Sequence, residues 1–147
     1  IETALKSLEG VQEELHAQVA IFLASADFTC SRPNRLALKD FLSDVRSRFT
    51  TVVFDAGAAW NPDEADELAE ETNTLAVRDP LQHGLSKRMN AYYRLPGPAG
   101  HKSRYEDPAI ERLAEIAKDA THEHAHYVFT NVDMFADGRR FKRAIGL

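Results

Sequence analysis

Cysteine is almost absent from this chain. Cys30 is the only one in 147 residues, so no intramolecular disulfide can staple the fold and no zinc site can be built from thiolates. A reducing cytoplasm suits such usage. Long apolar runs are missing as well. The longest, VAIFLA at 19–24, falls far short of the ~20 residues that a membrane-spanning helix needs. An excess of positive charge is also lacking. Lys plus Arg number 18 against 23 Asp plus Glu, for a net charge of −5 and a pI near 5.7. That balance argues against coating nucleic acid or an anionic membrane through bulk charge, and leaves room for a local basic patch. The glycine-containing stretch Gly97–Gly100 has no P-loop or dinucleotide fingerprint, and Ser25 and Cys30 carry no sign of a catalytic triad. No secretory signal is visible, although a chain that opens on Ile1 rather than methionine says little about targeting.

Apolar residues make up 44% and charged residues 28%, an ordinary globular mix with enough length for one cored domain over residues 1–147. Repeats, low-complexity tracts and interdomain linkers are absent. Apolar steps of three and four at Ile1, Leu5, Leu8, Val11 and Leu15 predict a helix to about Ala17, and Leu38, Phe41, Leu42 and Val45 predict another over 34–48. Asn61 ahead of Pro62, Asp63 and Glu64 is a helix start: a capping residue, a proline in the first turn and acids against the dipole. Asp107-Pro108 opens a further helix, and Phe135 to about Ile145 closes the chain as the last. Between them lie short, continuously apolar runs, as expected of strands buried on both faces. These are QVAIFLA at 18–24, TVVFD at 51–55, TLAVRD at 74–79, AYYRL at 91–95 and HAHYVFTN at 124–131. Alternation of such strands with helices predicts an α/β fold with a parallel sheet. An open doubly wound sheet and the later part of an eight-stranded barrel both satisfy this pattern.

In either architecture sites form beyond the carboxyl ends of the strands. Asp27 lies just past the first strand, Asp55 and Asp79 end the second and third, Arg94 is near the end of the fourth, and Asn131 and Asp133 follow the fifth. Carboxylates gathered in this way suit a divalent metal held through oxygen, or an acid–base pair. Aspartates after strands also cap helices and make turns. Asp55, embedded in VVFD, has the fewest such structural reasons. Arg94, a charge within a buried strand, needs a partner and has the planar fork that grips phosphate or carboxylate. His101, Lys102 and Arg104 add a small basic cluster in the following loop. Trp60 either walls a ligand or packs its own loop. His122, His124 and His126 alternate, so that on a strand they share one face. Their place at the amino end of the strand favours a polar entrance over a metal site.

Several segments resemble the YecE-like family, domain of unknown function seventy-two. They are NRLALKDFLSDV at 34–45, TVVFDAGAAW at 51–60, LAVRDP at 75–80, YYRLPG at 92–97, RYEDPAIERLAEIA at 104–117 and YVFTNVDMFADGRRFK at 127–142. Their collinear order carries the likeness more than any single motif, and FTNVDMFADGRRF is the most specific piece. The resemblance implies the later strands of a TIM (β/α)8 barrel with the first strands absent. It also implies a likeness to metal-dependent barrels that act on phosphorylated substrates, which is an analogy of fold. Trp60, Asp79, Arg94, Gly97, Tyr105, Asn131, Met134 and Asp137 match the family pattern. Leu23 stands where the family tends to carry glutamine, Asp55-Ala56-Gly57 where it carries a run like EPRG, Pro96 where it carries histidine in RLHG, and Thr130 where it carries the first of two asparagines. The expected consequence is weakened or altered chemistry, since a carboxylate retracted by one methylene is misplaced for its reaction.

Two functions are therefore expected of the sequence. One is an anion- or phosphate-binding site in which Asp55, Arg94 and Asn131 act on a ligand. Asp79, Trp60, Tyr105, Lys102 and Arg104 line it, and a divalent metal is the candidate cofactor. The other is a non-catalytic interaction module that covers open sheet edges with a second copy or another chain.

Overall fold

The computed structural model describes all residues, 1–147. The chain runs through α1 (Glu2–Leu15), β1 (Val19–Leu23), α2 (Arg32–Val45), β2 (Thr51–Asp55), α3 (Pro62–Thr72) and β3 (Leu75–Arg78). It continues through α4 (Pro80–His83), β4 (Asn90–Leu95), α5 (Asp107–Asp119), β5 (His124–Phe129) and α6 (Met134–Ala144). The strands pair in chain order, and every pair is parallel. A doubly wound sheet reverses its strand order at a switch point, whereas barrel strands succeed one another in sequence. The absence of a reversal settles the choice that the sequence pattern leaves open, in favour of a partial TIM-like α/β arrangement.

The backbone divides into two compact units, Ile1–Ala76 and Val77–Leu147, with the boundary inside β3. In the first unit, β1 pairs with β2 in the register Leu23 to Asp55, and β2 pairs with the start of β3 through Val53–Leu75 and Phe54–Ala76. The core lies between these strands and α1, α2 and α3. Ala20, Val52 and Phe54 meet Leu42, Val45, Phe49, Ala65, Leu68 and Ala69. Phe22 sets its ring edge against Phe41 at 5.2 Å and Phe49 at 5.9 Å. The start of α3 follows the capping chemistry legible in the sequence, with the Asp63 N–H donating to Asn61 Oδ1 at 2.8 Å; α2 starts two residues before the expected 34, capped by the Ser31 hydroxyl, which accepts from the Asn34 N–H at 3.4 Å. Buried Val52, Val53 and Phe54 make β2 a strand covered on both faces. The same expectation fails for β1. Ala20 and half-buried Phe22 point to the helices, but Ile21 is 41% and Leu23 65% exposed. A run of apolar residues does not by itself cover both faces of a strand.

In the second unit, Val77 and Arg78 pair with Tyr92 and Tyr93, and β4 pairs with β5 from Asn90–His124 to Leu95–Phe129. Leu95, Tyr105, Ile110, Leu113, Ala114 and Phe141 form its core, with Tyr127 and Phe129 packed against it. Buried Arg78 donates to the carbonyls of His83 and Gly84, which ties the short α4 turn back to β3. No helix in the chain is long and apolar enough to cross a membrane.

Candidate functional site

Side chains alternate between the two faces of a strand. In the second unit Tyr93, Leu95, Tyr127 and Phe129 take the helix side, where Tyr127 and Phe129 meet the Phe141 ring at 4.9 and 5.8 Å. Tyr92, Arg94, His126 and Val128 therefore stand on the opposite face, paired Tyr92 to His126 and Arg94 to Val128. Arg94 is half-buried there, at the carboxyl end of β4 as the sequence predicts. Its Nε–H donates to the Thr130 hydroxyl at 3.4 Å, so the residue just past β5 helps aim the guanidinium.

The loop from Pro96 to Tyr105 is folded tightly on itself. Ser103 Oγ accepts from the Ala99 N–H at 2.9 Å and donates to the Gly100 carbonyl at 2.7 Å. Gly97 has φ +99°, and a Cβ there would lie 2.5 Å from the Gly100 oxygen and 2.7 Å from Ser103 Oγ. Only glycine satisfies both the backbone angle and the space. Its N–H donates to the Tyr105 hydroxyl at 2.8 Å. Burial pushes the Tyr105 phenol up to about 12, with the charges of Asp79 and Asp137 adding to the shift and the Gly97 N–H opposing it. Tyr105 is thus a neutral phenol that braces the loop. His101, Lys102 and Arg104 are exposed along the outside of this loop, with Arg104 3.5 Å from Glu106.

Beneath the loop lies a buried polar lock. Asn131 Nδ2 donates to the Ser103 carbonyl at 3.0 Å and to Asp137 Oδ2 at 2.8 Å. The Tyr105 N–H donates to the same Asp137 oxygen at 3.2 Å. Arg140 donates to Asp137 Oδ1 at 2.7 Å and to the Tyr105 carbonyl at 2.6 Å, and it also bonds Asp107. Asn131 and Asp137 are each 1% exposed. The Asp137 carboxylate is taken out of water only because three groups donate to it. Asn131 Oδ1 is buried with no hydrogen-bond partner, an acceptor of the kind that an ordered water or ligand donor commonly satisfies. Asn131 is therefore held as scaffold by its amide nitrogen. Asp79 caps α4, accepting from the Leu81 N–H at 2.9 Å, and burial holds its carboxyl above the ordinary range.

The first unit ends its strands differently. Asp55 is half-buried and accepts from the Gly57 N–H at 3.0 Å, a turn within two residues. Asp27 sits in an exposed turn, and the Ser25 hydroxyl holds its carboxyl below the usual range. Trp60 is 5% exposed, stacks on Phe28 at 6.3 Å and donates from Nε1 to the Phe28 carbonyl at 3.0 Å, so its ring packs the loop. Asp55 borders a cavity of about 310 Å³ whose other walls are apolar, among them Phe22, Leu23, Phe28, Leu38 and Phe41.

The histidines separate. His122 is bonded from both ring nitrogens: Nε2 lies 2.7 Å from the Tyr93 hydroxyl and Nδ1 2.7 Å from the Arg88 carbonyl. The Arg88 carbonyl can only accept, so Nδ1 donates to it, and the Tyr93 hydroxyl that meets Nε2 also accepts from the Ser86 N–H. Because Tyr93 and Tyr92 face opposite sides, His122 does not share a face with His126, whose ring lies 5.8 Å from Tyr92. No group of three or more His, Cys, Asp or Glu side chains comes together as metal ligands. The donor set does not fit the divalent metal considered from the sequence.

Sequence reasoning missed Ser103 and Arg140, and marked Thr130 only as a departure from the family pattern, not as the partner of Arg94. Arg140 alone had a local signal, lying three residues after Asp137 on one helix face.

No protein-family model matches the chain, and no curated protein matches it. Solved structures do. A DUF72 family protein from Enterococcus faecalis V583 superposes with a TM-score of 0.72 at 13% identity over 97% of this chain. A DUF72 family protein from Thermotoga maritima MSB8 superposes with a TM-score of 0.71 at 16% identity over 99% of this chain. The chain has the fold of the DUF72 proteins. It spans 64% of the length of each of these two solved chains. The DUF72 fold agrees with the strand succession and with the resemblance read from the collinear segments.

Proposed function

We propose that this YecE-like chain binds a phosphorylated or otherwise anionic small molecule at the carboxyl end of β4 and β5. Arg94 is its anion-binding group. The observation that carries this reading is the placement of Arg94, half-buried on the face away from the helices, with its Nε–H on Thr130. A guanidinium aimed by a fixed neighbour loses little freedom when an anion arrives. Exposed Lys102 and Arg104 raise the local positive potential. Asp79 orients the ligand, and Tyr105 and Asn131 hold the loop and strand end in place. Asp55, at the end of β2, is the acid–base candidate of the first unit. Pro96 offers no side-chain proton, so any reaction here is weakened or altered. The lone Cys30 suits a cytoplasmic setting.

Calorimetric titration with inorganic phosphate and with glycerol 3-phosphate tests the reading. Arg94→Ala is expected to weaken binding roughly tenfold or more, the loss of a charge-assisted contact. An absence of binding by the wild type, or equal binding by Arg94→Ala, sinks it.

A second reading has its own support. Ile21 and Leu23 are exposed on β1, which pairs only with β2. An apolar edge strand recruits another chain or aggregates unless covered, so this edge suits an interaction module completed by a second copy or partner. Sedimentation that shows a monomer across a wide concentration range counts against it.

A further inference from the structure

His126 lies in the exposed amino-terminal half of β5, consistent with the polar entrance expected from the sequence. It is the third of six residues in β5, exposed, and in register with Tyr92. The two rings lie 5.8 Å apart at 34°. Two residues further along β4, on the same face, stands Arg94, in register with Val128. His126 and Arg94 are thus diagonal neighbours on one sheet face, one strand spacing across and two residues along, about 8 Å between Cα atoms in such a pair. A phosphoryl group is wide enough, with the reach of both side chains, to touch the two at once. Tyr92 fills the angle between them. Burial raises its phenol and the Arg94 guanidinium opposes that shift, which is the mark of a cation close to the ring oxygen. One face of two strands therefore offers a half-buried guanidinium, an exposed imidazole and, through Arg94, the Thr130 hydroxyl, with Tyr92 buried between them at 6% exposure.

We propose that His126 is a second binding residue for a phosphate monoester, which lies with its phosphoryl group between Arg94 and His126 over Tyr92. The inference rests on Arg94 holding an anion, and it adds the chemical class of that anion and the residue that completes its grip. A monoester dianion carries more charge than one guanidinium neutralises, and an imidazole supplies a second N–H donor at an angle the guanidinium cannot reach. His124, at the entrance of β5, and His122, bonded to Tyr93 and Arg88, serve as internal controls.

Imidazole nitrogen and proton shifts, recorded while inorganic phosphate is titrated into the full chain, read the contact directly. The His126 ring signals are expected to move and saturate together with Arg94 Nε–H, while those of His122 stay fixed. His126→Gln and His126→Ala are expected to weaken phosphate roughly five- to tenfold with unchanged thermal unfolding, since the side chain is exposed. If Arg94→Ala abolishes binding while both His126 variants stay within about twofold of wild type and the ring signals do not move, His126 is strand surface only and the Arg94 reading stands alone. If the wild type binds no phosphate, both fall.

Discussion

The carboxyl ends of β1 and β2 and those of β4 and β5 are built on different principles. In the first unit a short turn and an indole-to-carbonyl bond 32 positions apart close the strand ends. Asp55 turns back to Gly57, Trp60 reaches Phe28, and the space beside them is lined by aliphatic and aromatic side chains. In the second unit the polar residues converge on one buried carboxylate, that of Asp137. Tyr105 meets Asp137 and Arg140, and Asn131 meets Ser103. A buried network of this kind fixes geometry tightly because every member depends on the others. It is the sort of support that a binding arginine needs.

Removal of Asp137 should therefore have the largest effect. Asp137→Ala takes one acceptor each from Arg140 and the Asn131 amide and removes the acceptor of the Tyr105 N–H, and is expected to cost about 3–5 kcal/mol in urea unfolding. Loss of less than about 1 kcal/mol would show that the lock is not a lock. Gly97→Ala comes next, at roughly 2–4 kcal/mol, from a strained φ and a clash with backbone and Ser103. Trp60→Phe, the matching change in the first unit, keeps the ring stack and loses one hydrogen bond. It is expected to cost about 1–2 kcal/mol. If it exceeded Asp137→Ala, the contrast between the two strand ends would be inverted.

The smallest effect is one of pH. Burial raises the Asp79 carboxyl above its ordinary 3.8. The folded chain then holds this proton more tightly than the unfolded chain does. The stability contribution of Asp79 falls as pH rises through the window that opens near 3.8 and closes at the folded value. Asp79→Asn keeps the acceptor for the Leu81 N–H. It is expected to melt slightly higher than wild type at about pH 7, with the gain vanishing as pH falls below about 4. A thermal melt series across that range reads it, and a variant that melts lower at neutral pH contradicts the assignment.

Most of the architecture was legible because it is written locally. TVVFD is a strand with the bounds the run suggests, Asn61 and Asp79 cap the helices that follow them, and Pro108 sits in the first turn of α5. Arg94 stands out in the sequence because a charge in an apolar strand needs a partner, and the structure gives it the Thr130 hydroxyl. What escaped depends on tertiary contact. The face of β1 that stays open is set by what packs on it, not by VAIFL itself. The three histidines alternate in sequence, yet His122 precedes the strand and bonds to Tyr93, so the expected shared face breaks at its first member. Tyr105 and Asn131 are expected from the sequence at the ligand, and the structure ties both into the buried lock beneath the loop, to Asp137 and, for Asn131, also to Ser103. Asp137 lies 32 positions from Tyr105 and Ser103 28 from Asn131, and nothing in local spacing points to those pairings.

The account turns on where an anion binds. Backbone amide and Arg Nε–H shifts mapped while inorganic phosphate is added to the full chain test this most directly. Saturable shifts at Arg94 Nε–H, Thr130 and the Ser103–Tyr105 amides, with Gly57 and Ala56 of the first unit unmoved, are the predicted result. Shifts centred on Asp55 and Gly57, or none at any of these positions, would contradict it.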